Sequence, residues 1–257
     1  MPAPVNPFKQ ALASGGTQIG CWLGLADAYG AEIMGHAGFD WLVIDGEHSP
    51  NDLRSIRDQL QALQASKSHA VVRLPIGETW MIKQVLDAGA QTVLVPMVES
   101  AEQARRLVRA CRFPPGGDRG VGYALGRASD FGLIADYGPS ADDQICLLVQ
   151  VESRAGLAAL DDILAVEGVD GVFVGPADLA ADMGHLGDAM QPPVQAAIMD
   201  ALRRISASGK AAGILSTRDD MTEAALAAGA RFVAVGIDIS MLLESARSTA
   251  ARWSRRA

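Results

Sequence analysis

The sequence predicts a single (β/α)8 TIM barrel, an α/β fold, and three observations support that prediction. Eight short β-rich runs alternate with segments of helical spacing, an order that is typical of a parallel sheet. Most of the runs are almost continuously apolar, as expected of parallel strands buried on both faces. The length of 257 residues suits one such barrel, so we expect one domain over residues 1–257.

The eight predicted strands are spread over the whole chain. They are QIGCWLGL (18–25), DWLVID (40–45), HAVVRL (69–74), TVLVPM (92–97), ICLLVQV (145–151), GVFVG (171–175), KAAGIL (210–215) and RFVAVGI (231–237). Between them, apolar residues recur at helical spacing in 52–66, 78–88, 100–111, 194–208 and 218–228. This alternation predicts a helix after most of the strands.

A further helix is expected at each end of the chain. Asn6 is a favourable N-cap and Pro7 suits the first helical position, which predicts a helix over 7–14 that ends at Gly15-Gly16. In residues 240–256, helical spacing predicts an apolar face and a basic C-terminal turn, made by Met241, Leu242, Ala246, Ala250, Trp253, Arg252, Arg255 and Arg256. This last helix either closes the barrel or packs on another subunit.

Residues 112–143 do not fit the minimal repeat. The segment is rich in Gly, Pro and Asp and is too long for an ordinary connection between a helix and a strand. Long loops in compact domains are usually functional or mobile, so we expect this one to have a role.

Composition excludes several classes of protein. A formal net charge of −8 without any run of Lys or Arg argues against nucleic acid as a partner. No apolar stretch approaches the roughly 18 to 20 residues that span a bilayer, and the first residues do not resemble a signal peptide, so we expect a cytoplasmic protein without a membrane partner. The cysteines are separated in sequence and are expected to be buried free thiols: Cys21, Cys111 and Cys146.

Polar residues at the ends of the predicted strands mark the expected active site, since catalytic groups of such barrels lie at the carboxyl ends of the strands. Strand 2 ends in DGEH (45–48), strand 3 carries Arg73, strand 5 ends at Gln150 and Glu152, and strand 6 leads into GPAD (175–178). All of these positions converge on one rim.

Glu152 and Asp178 are the candidate metal ligands. Two carboxylates from adjacent strands suit Mg²⁺ or Mn²⁺, which keep open positions for water and for a chelating 2-oxo acid. The alternative is that each carboxylate caps a helix or pairs with Arg73. Gln150, two residues from Glu152 and pointing the same way, favours the metal.

Arg73 and His48 are the candidates for charge stabilisation and proton transfer. Arg73 could donate a forked pair of hydrogen bonds to a carboxylate or an enolate oxygen, or form a structural ion pair with Asp45 or Glu47. His48 suits a proton shuttle near neutral pH, the alternative being a solvated loop histidine. His36 and His69 are expected to be structural, and His185 is left open.

The lysines exclude a Schiff-base mechanism. The chain has four, and none is expected inside the barrel mouth: Lys9, Lys67, Lys83 and Lys210. A barrel that makes an enolate at this rim therefore needs a metal as electrophile.

Six motifs resemble the HpcH/HpaI aldolase family of class II pyruvate aldolases. They are DWLVIDGEHSPND, AVVRLP, DAGAQTVLVPMVES, RGVGYALGRAS, VQVES and GVFVGPADLAADMG, and they cover nearly the whole chain in the family's order. The resemblance implies a carbon-carbon lyase that reversibly cleaves 4-hydroxy-2-oxo acids to pyruvate, or a close 2-oxo acid, and an aldehyde. The cleavage would pass through an enolate on a divalent metal, Mg²⁺ or Mn²⁺ with Co²⁺ as a third candidate, in the catabolism of aromatic or sugar acids.

The resemblance also implies roles for individual residues. Glu152 and Asp178 would bind the metal, and Arg73 would stabilise the enolate. His48 would be the base that takes the 4-hydroxyl proton, through a metal-bound water. The pyruvyl group would be contacted by Gln150 and by the backbone around Ala177, with Gly175, Pro176 and Asp178 completing that part of the site.

A carboxylate partner for His48 and a hexamer are implied as well. The position that matches this carboxylate is Asp87. Asp45, which lies close to His48 in sequence, is the other candidate. Because Asp87 lies near the end of the helix predicted after strand 3, we expect any contact with His48 to cross a subunit interface. The alternative for Asp87 is a residue in the C-terminal turn of a solvated helix. The family forms homohexamers, trimers of dimers that exchange the last helix, here residues 240–256. Val121 would then line a neighbour's aldehyde pocket beside Trp22 and Leu215, although each of the three could equally be core.

Two other functions remain open from the sequence. A citrate-lyase-type enzyme acting on a coenzyme A thioester shares the barrel and the acidic pair, but it should offer basic residues for the coenzyme's phosphates. A non-catalytic barrel that binds a keto acid is the other alternative.

Overall fold

The computed structural model describes residues 1–254 and contains a closed barrel of eight parallel strands in chain order, β1 to β8. The strands are β1 Gln18–Leu23, β2 Trp41–Asp45, β3 His69–Arg73, β4 Thr92–Val95, β5 Cys146–Val151, β6 Gly171–Val174, β7 Ala211–Leu215 and β8 Ala230–Ile237. β8 pairs with β1, with Gln18 opposite Phe232, and this pairing closes the barrel. The predicted fold and all eight predicted strands are confirmed.

Twelve α-helices are present within residues 1–254. They are α1 Pro7–Ala13, α2 Ala28–Gly35, α3 Leu53–Ala62, α4 Thr79–Asp87, α5 Ala101–Cys111, α6 Tyr137–Gln144, α7 Arg154–Ala158, α8 Leu160–Leu164, α9 Pro176–Asp182, α10 Pro192–Ala207, α11 Asp219–Ala227 and α12 Asp238–Ser254. No helix in this part of the chain is long and apolar enough to cross a membrane. The arginines expected in the last turn, Arg255 and Arg256, lie outside the described residues.

The barrel interior is filled by large side chains that approach strand glycines. A Cβ on Gly20 would lie 2.3 Å from the ring of Trp41, and one on Gly213 would lie 2.2 Å from the ring of Phe232. Both rings are fully buried. Glycine is therefore required at these two positions, since the aromatic rings occupy the space that any side chain would need.

Helix α1 closes the amino-terminal end of the barrel. Asn6 is its N-cap, as predicted, and its side chain accepts a hydrogen bond from Lys9 N. Phe8 is buried against the ring of Trp41, with centroids 5.7 Å apart, and stacks on His69 at 5.4 Å. Helix α1 thus places the aromatic ring of Phe8 against the amino-terminal end of the barrel.

The segment predicted as a long irregular loop is partly helical. Residues 112–136 contain two short 3-10 turns, Tyr123–Leu125 and Arg127–Ser129, and α6 follows. Buried Phe113 and Tyr137 pack against Tyr123, so this segment has its own small apolar cluster. The cysteine prediction is confirmed, because all three thiols are free and buried.

His69 is expected to make the fold sensitive to acid. Its ring nitrogen lies 2.8 Å from Thr92 Oγ1, and burial lowers its pKa from 6.5 to about 4. An unfolded chain therefore binds more protons than the folded one between pH 6.5 and 4, and stability falls as the pH drops through that range. Because the ring is only partly buried, we expect a loss of about 1 to 2 kcal/mol between pH 7.5 and 5.

Urea unfolding of the wild type and His69→Gln at both pH values measures this effect. The variant should lose about 1 to 2 kcal/mol less than the wild type on acidification. His36→Gln, which removes an exposed histidine, is the matched control and should behave like the wild type. An equal loss in the wild type and His69→Gln would show that His69 is not the acid-sensitive group.

Candidate active site

The polar residues predicted at the strand ends do come together at the carboxyl end of the barrel. Asp45 and Arg73 are the last residues of β2 and β3, and the Cα atoms of these two residues are paired in the sheet. Glu152 follows β5 directly, and Asp178 lies in the first turn of α9, just after β6. Parallel strands thus bring four charged groups, widely separated in sequence, to one rim.

Arg73 is almost fully buried and is held by two carboxylates. Its Nε and Nη2 donate to Oδ1 and Oδ2 of Asp45 at 2.9 and 2.6 Å, and its Nη1 lies 2.8 Å from Glu47 Oε2. The guanidinium also lies 5.2 Å from the ring centroid of Trp22. Both ion pairs that the sequence suggested are formed. The hydrogen bonds to Asp45 use two of the five N–H donors of the guanidinium, so donors remain for another acceptor.

Asp45 organises the DGEH turn as well as Arg73. Its Oδ1 accepts hydrogen bonds from the backbone nitrogens of Glu47 and His48, at 2.9 and 3.2 Å. Burial alone would raise its pKa, but the hydrogen bond and charge of Arg73, with the two backbone donors, lower it below the ordinary value. Asp45 therefore stays ionised and fixes both Arg73 and the turn that carries His48.

Glu152 is a buried carboxylate with two hydrogen-bond donors. Met97 N donates to Oε1 at 2.8 Å, and Gln150 Nε2 donates to Oε2 at 2.7 Å. Gly175 leaves the space that this carboxylate needs, because a Cβ there would lie 2.2 Å from Oε2. Met97 has a φ of +54°, a left-handed conformation that is uncommon outside glycine, and this backbone strain lies at the contact with Glu152.

The surroundings of Glu152 disfavour its negative charge. Burial raises its pKa to about 7, the Met97 N–H opposes this, and the negative charges of Asp178 and Glu47 raise it further. The ionised form is thus poorly stabilised by the protein, although Arg73 lies near enough to favour it. A positive ion between the carboxylates would lower the cost of ionising them.

The donor set fits a hard divalent cation. Gln150 is buried, and its Oε1 has no hydrogen-bond partner among the described residues. The oxygen types of Gln150, Glu152 and Asp178, an amide and two carboxylates, are ones that Mg²⁺ and Mn²⁺ prefer. Residues 1–254 contain no group of three or more His, Cys, Asp or Glu side chains arranged to hold a metal. Two protein carboxylates with open positions for water and substrate are a known arrangement for Mg²⁺.

The side chain of His48 is 64% exposed and lies at the edge of the rim. Its Nε2 is 3.9 Å from Glu47 Oε2. Asp45 contacts the backbone of His48 rather than its ring. Asp87, the other predicted partner, is the last residue of α4 and pairs with the buried Arg119 at 2.8 Å. Since barrel helices run opposite to their strands, Asp87 lies at the far end of its own barrel, as expected.

The predicted aldehyde pocket is only partly assembled in one protomer. Leu215 lines a cavity of about 290 Å³ together with Pro176, Ala177 and Ile237, beside the first turn of α9. Trp22 is buried under Arg73. Val121 is 67% exposed and follows Gly120, which lies beside Lys83 of α4. The protomer therefore does not bring Val121 to the rim.

A larger cavity of about 730 Å³ lies at the opposite end of the barrel. It is lined by the N-terminal segment, the start of β3 and the 127–134 segment, and it includes Lys67 and Arg127. None of the rim residues described above lines it. Volume therefore does not identify the chemical site in this molecule, whereas the clustered charges at the carboxyl ends of the strands do.

Sequence reasoning missed three residues of the rim. Glu47 was placed in the DGEH motif without a role beyond an ion pair, although its position beside His48 could have suggested one. Met97 carries no signal in the sequence, because its importance comes from a backbone torsion. Asp238 is buried, and it ties the start of α12 to the loop after β1 by accepting from Gly24 N at 2.8 Å.

Comparisons with known proteins place this chain in one family. A family model described as HpcH/HpaI aldolase/citrate lyase matches residues 18–245, which include every rim residue discussed above. A protein of Roseobacter denitrificans named hydroxypyruvate/pyruvate aldolase is 65% identical over 255 residues, covering 99% of this chain and 100% of that protein. A 4-hydroxy-2-oxo-heptane-1,7-dioate aldolase of Klebsiella pneumoniae is 53% identical, covering 98% and 95%.

A solved structure has the same architecture. The crystal structure of an HpcH/HpaI aldolase/citrate lyase family protein from Burkholderia cenocepacia matches with a TM-score of 0.93 at 41% identity. The match covers 98% of this chain and 100% of that one. The barrel and its two terminal segments are thus shared over nearly their full length.

Proposed function

The chain belongs to the HpcH/HpaI aldolase/citrate lyase family, and we propose that it cleaves 4-hydroxy-2-oxo acids to pyruvate and an aldehyde at the Glu152 and Asp178 rim. Its close relatives are named aldolases, so the chain is a carbon-carbon lyase. The Roseobacter relative is named for hydroxypyruvate as well as pyruvate, and we include hydroxypyruvate as a second 2-oxo acid.

The observation that carries the proposal is the state of Glu152. It is a buried carboxylate, next to the charges of Asp178 and Glu47, and burial raises its pKa to about 7. A divalent ion on Glu152 and Asp178 would polarise the 2-oxo group and stabilise the negative charge left on its oxygen by carbon-carbon cleavage. Co²⁺ would suit the same ligands, with Mg²⁺ and Mn²⁺ preferred for their affinity for oxygen donors.

The protein's own groups then orient the substrate and move the proton. The N–H donors of Arg73 that Asp45 leaves free would bind the oxygen on which negative charge develops, which favours the transition state over the ground state. Gln150 and the backbone around Ala177, between Gly175 and Asp178, would orient the pyruvyl group. His48 would take the proton from the 4-hydroxyl during cleavage and return it during synthesis.

A lyase acting on a coenzyme A thioester is less well supported. Such an enzyme needs cations for the phosphates of the coenzyme, and the guanidinium at this rim, Arg73, is already paired with Asp45 and Glu47. The cavity beside Leu215 has no Lys or Arg in its lining. These features favour a small 2-oxo acid as the substrate.

Metal dependence is tested by pyruvate release from 4-hydroxy-2-oxo acids. Protein treated with a chelator should be inactive and should regain activity with Mg²⁺ or Mn²⁺. Glu152→Ala should stay at least about 100-fold less active at any metal concentration, because it removes a ligand and leaves no replacement. Glu102→Ala in α5, which removes a carboxylate in the first turn of a helix on the barrel's outer face, is the control and should keep wild-type activity.

Activity that survives chelation would contradict the metal mechanism. Absence of turnover with every 4-hydroxy-2-oxo acid tested would contradict the aldolase assignment of this rim and would favour the thioester lyase or a non-catalytic barrel.

We also propose a homohexamer built as a trimer of dimers, with α12 exchanged between subunits. Two surfaces support association. Helix α12 exposes Ile239, Leu242 and Leu243, with Leu242 60% exposed, and exposed apolar groups also lie along the long segment, at Val121, Leu125, Phe131 and Leu133. Large exposed apolar surfaces are typical of protein interfaces. In such an assembly Asp87 and Val121 would reach the rim of a neighbour, where Asp87 would meet His48.

Light scattering during gel filtration tests the assembly. We expect a particle of six times the protomer mass. Leu242→Glu should give a smaller particle, because it places a charge in the proposed interface, whereas Ser248→Glu adds the same charge at a polar position and should leave the hexamer intact. A wild-type monomer, or an unchanged particle in Leu242→Glu, would contradict the exchange of α12.

A further inference from the structure

The cavity at the amino-terminal end of the barrel is left unused by the proposed reaction. Its volume of about 730 Å³ lies within the roughly 300 to 1,000 Å³ that is usual for small-molecule sites. Its walls come from within residues 3–7, 60–70, 89–91 and 127–145, so it lies between the barrel and the long segment. None of the residues assigned to the aldol reaction lines it. A ligand of this cavity therefore binds apart from the rim.

Arg127 brings to this cavity a positive charge that no carboxylate of the described chain balances. The residue is half-buried and lines the cavity. Its Nη2 donates to Gln64 Oε1 at 2.9 Å and its Nη1 to Ala88 O at 3.3 Å, and both acceptors are neutral. Burial lowers the pKa of Arg127, and no charged group within residues 1–254 offsets that effect. Because a guanidinium has five N–H donors, donors remain for another acceptor.

The backbone beside Arg127 leaves a place for its guanidinium. Gly89 has a φ of +108°, and a Cβ there would lie 2.4 Å from Arg127 Nη1, so glycine is needed for both the torsion and the space. Ala88 is the C-cap of α4, so the guanidinium lies against the end of that helix. A helix end carries only about half a negative charge, which offsets part of the charge of Arg127. The guanidinium is thus held in position with positive charge to spare.

The lining as a whole is positive. Lys67 is exposed at the cavity and makes no hydrogen bond or ion pair within the described part of the chain. Asp130 is the one carboxylate among the described lining residues, and it pairs with neither cation. His69, whose pKa is lowered by burial to about 4, adds no charge at neutral pH. A positive cavity in a chain with a formal net charge of −8 favours an anion as its ligand.

Much of the remaining wall is apolar. Ser66, Ser68 and Gln91 line the cavity, but each already donates a side-chain hydrogen bond to a backbone carbonyl. The apolar groups come from both the barrel side and the long segment: Leu60, Leu63, Ala90, Phe131 and Ile134. Small-molecule sites typically combine an apolar wall of this kind with a few polar groups that fix orientation. The cavity therefore suits a ligand with an anionic head and an apolar body.

We propose that this cavity is a second binding site, which takes an organic anion with its carboxylate or phosphate head on Arg127 and its apolar body against Phe131 and Ile134. Arg127 can donate a forked pair of hydrogen bonds to either head group. Lys67 adds to the attraction for the anion as a second positive charge in the same lining. The site uses neither the metal nor the rim, so it does not depend on the proposed aldol reaction.

Isothermal titration calorimetry with 2-naphthoate, an aromatic carboxylate, tests this site. We expect the wild type to bind one naphthoate per chain. Saturating pyruvate with Mg²⁺, which would occupy the rim, should leave that affinity unchanged, and so should a chelator. Inorganic phosphate carries the charge without an apolar body and should bind at least about 10-fold more weakly, because it leaves the apolar wall uncovered.

Two variants in the cavity and one outside it assign the binding. Arg127→Gln should bind naphthoate at least about 10-fold more weakly, because it removes a charged donor from a half-buried position. Lys67→Gln changes an exposed side chain, so the fold is kept, and it should weaken binding about 2- to 5-fold. Arg106→Gln removes the same charge from an exposed position of α5 outside the cavity and should bind like the wild type.

The other outcomes contradict the proposal. No saturable binding of naphthoate by the wild type, or equal affinity in the wild type and Arg127→Gln, would show that the cavity is not an anion site. Equal weakening in Arg127→Gln and Arg106→Gln would show a general effect of net charge. Loss of naphthoate binding with pyruvate and Mg²⁺ would place the naphthoate at the rim. Phosphate that binds as tightly as naphthoate would contradict the apolar part of the site. Circular dichroism of each variant verifies that the fold is kept.

Discussion

The buried ion pair of Arg73 and Asp45 is the interaction on which the rest of the rim depends. It joins the ends of two adjacent strands, β2 and β3, at a point where their Cα atoms are already paired. The same carboxylate binds the backbone of the next turn, so one side chain fixes Arg73, Glu47 and His48. Buried ion pairs contribute little net stability, but they define geometry because leaving either partner alone is costly. The orientation of the guanidinium is thus fixed.

The opposite side of the rim is held by a different means. Glu152 accepts hydrogen bonds from Met97 N and Gln150 Nε2. Its carboxylate fits there because Gly175 has no side chain. Neither donor carries a charge, so the carboxylate is oriented without being neutralised. The charge of Arg73 is thus balanced by carboxylates, whereas both hydrogen-bond donors to Glu152 are neutral, which agrees with the proposed cation site.

Much of this arrangement could be predicted from the sequence. Continuous apolar runs identified the eight strands, and the topology of a parallel barrel then placed Asp45, Arg73, Glu152 and Asp178 on one rim. The helices α7, α8 and α9 were not predicted, because RAGLA, LDDIL and PADLAAD are too short to show a helical period. Helix α6 was assigned to a loop because YGPSADDQ contains Gly, Pro and Asp, and packing of Tyr137 overrides that composition. The left-handed Met97 and the orphan Oε1 of Gln150 depend on tertiary geometry that no residue pattern encodes.

The proposed function requires the rim to stabilise a pyruvate enolate, which can form from pyruvate before any aldehyde takes part. Exchange of the pyruvate methyl protons for deuterium, followed by proton NMR in D2O without an aldehyde, measures that step directly. We expect exchange that needs both the wild-type rim and an added divalent cation. Exchange at the same rate in chelator-treated protein, or none in metal-loaded protein that still cleaves a 4-hydroxy-2-oxo acid, would contradict it.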